Sequence, residues 1–144
     1  MLWVKPASNH PWSVVITDWA LGAYLDLKHR NVFTITEYRM VLRPDVELLR
    51  DGLPSPHTKF SNPKFWGPAV LNKQVLSGGH KMKWHNIGSG QVQLRLPVVA
   101  GQQEVFLCEC YEKENANQEA RKLARFKTHM NLIAQGRFVW RGTL

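Results

Sequence analysis

Residues 81–98 constrain the fold of this chain more than any other stretch. Lys81–Ile87 alternates polar and apolar side chains, Gly88, Ser89 and Gly90 interrupt it, and Gln91–Val98 alternates again. Period-two alternation on both sides of a glycine turn predicts an antiparallel β-hairpin. Successive side chains point to opposite faces of a strand. Met82 and Trp84 therefore share one face with Val92, Leu94 and Leu96. Lys81, Lys83 and His85 share the other with Gln93 and Arg95. The predicted sheet has an apolar face and a cationic one. A third run, Glu104–Tyr111, follows Gly101, and Glu109 and Tyr111 lie on one face of it. Which face that is depends on register, because a slip of one residue exchanges the two faces.

The remaining segments predict helices around this sheet. A short strand over Ala69–Leu76 is broken by Gly78–Gly79, and Phe138–Trp140 returns as a last strand. Between them Ala116–Gln135 reads as an amphipathic helix. Ala116, Ala120, Leu123, Ala124, Phe126, Met130, Ile133 and Ala134 gather on one arc, and Arg121, Lys122, Arg125 and His129 fill the opposite one. At the other end, Pro6 and Pro11 mark an irregular arm, and Asp18–Arg30 reads as a helix. Thr34 and Glu37 have capping-box spacing for a second helix through Tyr38, Val41 and Leu42. Pro44 stops or kinks that helix, and Asp45 caps a last turn, Val46–Arg50, that ends at Gly52. Prolines 54, 56, 63 and 68 make Leu53–Pro68 a loop or extended wrap, and Phe60, Phe65 and Trp66 are expected to pin it to the core. The expected fold is α+β. It is a single domain over 1–144, with an arm and helices in 1–52, a proline-rich loop in 53–68, and a small, mostly antiparallel sheet with a basic C-terminal helix in 69–144.

Composition narrows the function classes. With 44% hydrophobic and 21% charged residues, the 144-residue chain is neither wholly disordered nor collagen-like. The longest apolar runs, such as Val14–Ile16 and Pro97–Ala100, fall far short of a membrane span. No signal-peptide pattern opens the sequence, so a cytoplasmic location and no membrane partner are expected. Two cysteines make no disulfide framework and contain no CxxC pair. Cys108 and Cys110 share a face if they lie in a strand, and read as small core residues. His57 and His80 have no evident ligand partners, no GKS or GKT follows Gly78–Gly79, and no nucleophile elbow or dinucleotide fingerprint is present. Neither a metal nor a cofactor is expected.

Nineteen Lys and Arg against eleven Asp and Glu leave a net charge of +8. Such an excess suits phosphate, an anionic surface or an acidic protein. For an RNA strand on the cationic face, His85 is the natural acid or base. Lys81, Lys83 and Arg95 hold phosphate, Glu109 serves as base, and Tyr111 stacks or donates a hydrogen bond. On the helix, Arg121, Arg125 and His129 recur every fourth residue and, with Lys122, can follow a phosphate backbone. The alternative is a solvated sheet face and a solvated helix face. The chain is then a non-catalytic basic module that binds nucleic acid or an acidic protein, such as a phage or mobile-element regulator.

Three stretches resemble the YafO-type toxins of bacterial toxin–antitoxin modules. Arg50-Asp51-Gly52-Leu53-Pro54, then Phe60 and Phe65-Trp66, is similar to that family's RDG-LP, F and F-x-WP region. Lys83-Trp84-His85 falls where the family has His-x-His on a strand, with Lys83 replacing the first histidine. Lys122-Leu123-Ala124-Arg125, with Met130, Ile133, Trp140 and Arg141, resembles its C-terminal helix. The likeness spans roughly residues 45–141. It implies a ribosome-dependent endoribonuclease that cuts mRNA, arrests translation and is neutralised by a cognate antitoxin. It also implies the RelE-like architecture of a small antiparallel sheet packed by helices. Mapped onto this sequence, it singles out His85.

Overall fold

In the computed structural model the described residues are 10–88 and 90–144. The expected arm over residues 1–9 and Ser89 of the hairpin turn lie outside them. Among the described residues seven strands form one sheet: β1 Ser13–Thr17, β2 Trp66–Leu71, β3 Gln74–Ile87, β4 Val92–Ala100, β5 Glu104–Leu107, β6 Tyr111–Glu112 and β7 Trp140–Thr143. The order is β2-β3-β4-β5-β1-β7, with β6 also paired to β4. Among the described residues only β1 and β5 pair in parallel; the other pairs are antiparallel. The helices are α1 Asp18–His29, α2 Ile35–Glu37, α3 Arg43–Glu47 and α4 Ala116–Ala134. The chain is thus α+β with a mostly antiparallel sheet. No helix among the described residues is long and apolar enough to cross a membrane.

The central hairpin has the expected register. Met82 faces Leu96, Lys83 faces Arg95 and Trp84 faces Leu94. Met82, Trp84, Leu94 and Leu96 are buried with Leu27 of α1 and with Leu42, Val46 and Leu49 of the segment after α2. A second, smaller core lies around α4, where Ala69 and Cys108 pack with Leu123, Phe126 and Ile133. Both faces of the sheet therefore carry helices.

Three strand boundaries differ from expectation. Ala69–Leu76 is not one strand, because Asn72 and Lys73, at φ +52° and +65°, make a two-residue hairpin with Leu71 opposite Gln74. Gly78–Gly79 does not break β3. A Cβ on Gly79 would lie 2.8 Å from the Phe126 ring, so its bare backbone lets α4 come down onto the strand. The run Glu104–Tyr111 splits after Leu107. Cys108 N–H bonds to Pro97 O at 3.0 Å, and pairing to β4 resumes with Tyr111 opposite Arg95. Cys108 and Cys110 consequently do not share a face: the first packs in the α4 core and the second against the larger one. The last strand begins at Trp140 rather than Phe138. Strand β1, whose Val14–Ile16 is too brief to signal itself, is buried at Val14 and Val15 and pairs with β5.

The helical half begins as expected. Thr17 caps α1, accepting from Ala20 N–H, while its hydroxyl donates to Leu107 O at 2.6 Å. The Thr34–Glu37 capping box is complete, and the second Glu37 oxygen accepts from Gly88 N–H at 2.9 Å. That bond joins α2 to the hairpin turn. Pro44 does not end the segment. A π turn over Tyr38–Leu42 precedes it, and Pro44 sits in the first turn of α3, within a segment that stays helical on both sides of it. Asp45 is not a cap. It is buried, accepting from Trp84 Nε1–H at 2.8 Å and Lys59 Nζ at 2.6 Å. A 3-10 turn over Leu48–Asp51 then ends at Gly52. In the proline-rich stretch Phe65 is buried, and Phe60 and Trp66 pack against the same core, as the aromatic content predicted.

Asp45→Ala leaves the buried Trp84 N–H without its acceptor and should cost about 1–3 kcal/mol in urea unfolding. Asp45→Asn, which retains an acceptor oxygen, should cost less. Equal losses would show that the indole bond is not what Asp45 contributes.

Candidate functional site

Register brings four of the expected residues together. Lys83 on β3, Arg95 on β4 and Tyr111 on β6 are successive cross-strand partners and so share a face. Lys81 lies on that face one pleat away. The first turns of α4 bring Glu119 against this row. Its Oε2 accepts from the Tyr111 hydroxyl at 2.6 Å and lies 3.5 Å from Lys81 Nζ. Its Oε1 is 3.9 Å from Lys113 Nζ. Lys81 and Lys113 thus flank one carboxylate, whose charge also acts on Lys83 and Arg95.

The row is a partly covered strip and not the open cationic face that alternation alone predicted, because α4 packs over it. Arg95 is only 4% exposed, and its guanidinium donates to the carbonyls of Leu94 and Trp84 and to Gln93 Oε1. Lys83 is half-buried and donates to Pro63 O at 3.0 Å. Burial lowers the pKa of Lys81, with Glu119 acting in opposition. Burial, then repulsion from Lys81 and Arg95, lowers that of Lys83. Burial pushes the Glu119 carboxyl up, but the Tyr111 hydroxyl and the two lysines outweigh it and hold the group below its ordinary value. Burial and then the Glu119 contact push the Tyr111 phenol up. Chemically, the strip offers fixed positive charge for a phosphodiester, a destabilised ammonium and a phenol bonded to a carboxylate.

The other expected residues lie elsewhere. His85 is exposed at the edge of the strip, its Nε2–H donating to Lys64 O at 2.7 Å. Glu109 does not join Tyr111 at the row. It pairs with Lys122 at 3.1 Å and Arg125 at 2.9 Å. Burial raises the Glu109 carboxyl, but these two cations leave it below its ordinary value. With Arg121 they line a groove of about 560 Å³ between α1 and α4, which Tyr111 also lines. The helix cations therefore border the strip through Tyr111.

His129 is not on the exposed cationic arc. It is 6% exposed and stacks on Trp19, ring centroids 3.9 Å apart, and burial lowers its pKa. It stands three residues after Phe126 and four before Ile133, which places it on their face. The alanines at 116, 120, 124 and 134 are exposed, because the larger side chains decide which arc of α4 turns inward.

Glu119 and Lys113 escaped the sequence reading. Glu119 does carry a signal: it stands one turn before Leu123, on the buried face, where a carboxylate needs cationic partners. His57 also has a partner. Its Nε2 bonds Asp51 Oδ2 at 2.7 Å, while His10 Nδ1 bonds Oδ1 at 2.8 Å, and these bonds lower the Asp51 pKa. The bracket ties the approach to β1 and the proline-rich loop to the end of the helical segment. Burial pushes the Cys108 and Cys110 thiols up to about 12, which makes them poor nucleophiles. Among the described residues, no group of three or more His, Cys, Asp or Glu is placed to hold a metal ion.

The lowered Glu119 pKa has a definite sign in folding. Its ionised form contributes stability above the ordinary carboxyl value of 4.5, and that contribution is lost as pH falls through the lower folded-state value. The melting-temperature gap between wild type and Glu119→Gln, followed by circular dichroism, should be widest above pH 4.5 and should close below it. A gap independent of pH would mean that the carboxylate charge is not what the cations hold.

Comparison with protein-family models gives no match, and comparison with curated protein sequences gives none either.

Proposed function

We propose that this protein is a toxin of a toxin–antitoxin module, an endoribonuclease of RelE-like architecture that cuts mRNA on the ribosome. The observation that carries the reading is the Lys83–Arg95–Tyr111 row with Lys81 and Lys113 beside it. The resemblance of Arg50–Pro54, Lys83–His85 and the α4 pattern to the YafO-type toxins supports it. Cleavage in this site is an internal transesterification. The RNA 2′-oxygen bonds to phosphorus, the bond to the 5′-oxygen breaks, and a proton passes from the first oxygen to the second. Lys83 takes the 2′-proton as its neutral amine, the form that burial and the neighbouring cations favour. Lys81 protonates the leaving oxygen, and Arg95, buried and held by three hydrogen bonds, adds positive charge from beneath the strip as charge builds on phosphorus. Tyr111 orients the strand through its link to Glu119. His85, at the edge of the strip, contacts the flanking nucleotide, and Arg121, Lys122 and Arg125 follow the backbone into the neighbouring groove.

The row itself contains no imidazole, so its acid–base chemistry is weak and depends on RNA held in a reactive geometry. The ribosome supplies that positioning. The mRNA, the ribosome and an antitoxin are the partners of this reading, and the cytoplasm is its compartment. A second reading is favoured by Glu119, whose carboxylate already stands among the cations: a basic module that binds RNA or an acidic protein without cutting.

Induced expression should arrest growth and yield transcripts cut at defined positions within translated regions, read by primer extension. Lys83→Ala with Arg95→Ala should abolish both while the circular dichroism spectrum is retained. Binding without scission, with a salt slope that falls by about 0.7 for each lysine removed, supports the second reading. Undiminished cleavage by the folded double variant rejects the row as the centre.

A further inference from the structure

The face of the sheet away from the cationic row holds a cavity of about 320 Å³. It lies between α1, the segment from α2 to α3, and the β3–β4 hairpin, with Trp84 and Leu96 on the sheet side and Leu144 on its wall. Protein interiors contain few voids larger than a water molecule. This one falls within the size range of small-ligand sites, which are mostly apolar with a few convergent polar groups. Its wall follows that rule. Among the described residues lining it, Arg43 is the one with a charged side chain. The Tyr24 and Tyr38 rings pack 5.0 Å apart on the wall that Arg43 shares; burial and then Tyr38 raise the Tyr24 pKa, and the charge of Arg43 opposes them. The guanidinium is half-exposed, its ion-pair partner being Glu47 at 3.5 Å on the same helix, so most of its five donors remain for another acceptor.

We propose that this cavity binds an amphipathic monocarboxylate, with its chain against Trp84, Leu96 and Leu144 and its carboxylate on Arg43 and the tyrosine pair. A void of about 150 Å³ accepts benzene, so a ligand of about twelve non-hydrogen atoms suits this one. The charge of Arg43 selects an anion, and the planar guanidinium matches a carboxylate's two oxygens. Entry runs past Leu21, Thr143 and Leu144, which are not fully buried. The site is separate from the RNA reading and stands or falls without it.

The test titrates the whole protein with nonanoate and with nonan-1-ol. It follows the methyl resonances of Ile16, Leu27 and Leu144, and measures affinity by calorimetry. Both ligands should shift those methyls, and nonanoate should bind more tightly. Arg43→Gln should weaken nonanoate about tenfold, as expected for a charge-assisted bond, and leave nonan-1-ol within about twofold. Leu21→Trp, which fills the entry, should abolish both, and Lys83→Ala should change neither. Lining methyls that stay unmoved by either ligand in the wild type overturn the proposal, whether or not Leu21→Trp folds. An Arg43→Gln variant that binds nonanoate as tightly as the wild type overturns the assignment of the carboxylate.

Discussion

The pairing of Lys83 with Arg95 across β3 and β4 governs both sides of this molecule. In that register Met82, Trp84, Leu94 and Leu96 face the helical half and form the larger core. The same register turns Lys81, Lys83 and Arg95 to the other side. A slip by one residue would bury the lysines and expose the indole, and neither desolvated ammonium groups nor an exposed apolar stripe would be tolerated. The Asp45 carboxylate helps hold this arrangement by giving the buried Trp84 indole its acceptor. Lys59, reaching Asp45 from the proline-rich stretch, compensates the carboxylate's charge.

The cationic side shows how a fold tolerates like charges at close range. Lys81, Lys83, Arg95 and Lys113 repel one another, and partial burial weakens solvent screening. Glu119 offsets part of that repulsion, and it can do so because α4 approaches closely. Gly79 makes the approach possible by leaving room for Phe126 and Met130. A residue in β3 with no side chain therefore helps set the electrostatics of the row. One carboxylate among several cations leaves the strip with net positive charge, and this is the physical basis of the functional reading.

Local signals were legible wherever neighbours in sequence satisfy each other. The capping box at Thr34 and Glu37, the hairpin around Gly88 and the aromatic anchoring at Phe60, Phe65 and Trp66 all depend on short-range pattern, and each is present. Signals failed where a distant partner decided the outcome. Asp45 has good capping chemistry but is claimed by Trp84, thirty-nine residues away. Gly78–Gly79 has the composition of a break but lies under a helix that needs the space. Glu109 and Tyr111 have the spacing of one strand, yet the chain leaves the sheet between Leu107 and Tyr111, and the two side chains acquire different partners.

What the sequence determined by itself is therefore the alternation that sorts apolar from cationic residues in the hairpin, the local caps and the amphipathic character of the last helix. These follow from backbone geometry, which repeats every two residues in a strand and every 3.6 in a helix whatever lies nearby. Only the tertiary structure decided that α4 would lie over the cationic face, that Glu119 would stand among the lysines, and that His129 would be buried on Trp19. Those outcomes depend on which arc of a helix meets which strand. Large side chains at Leu123, Phe126 and Ile133 settle that choice by the area they bury, and the polar residues between them take whatever partners the sheet presents.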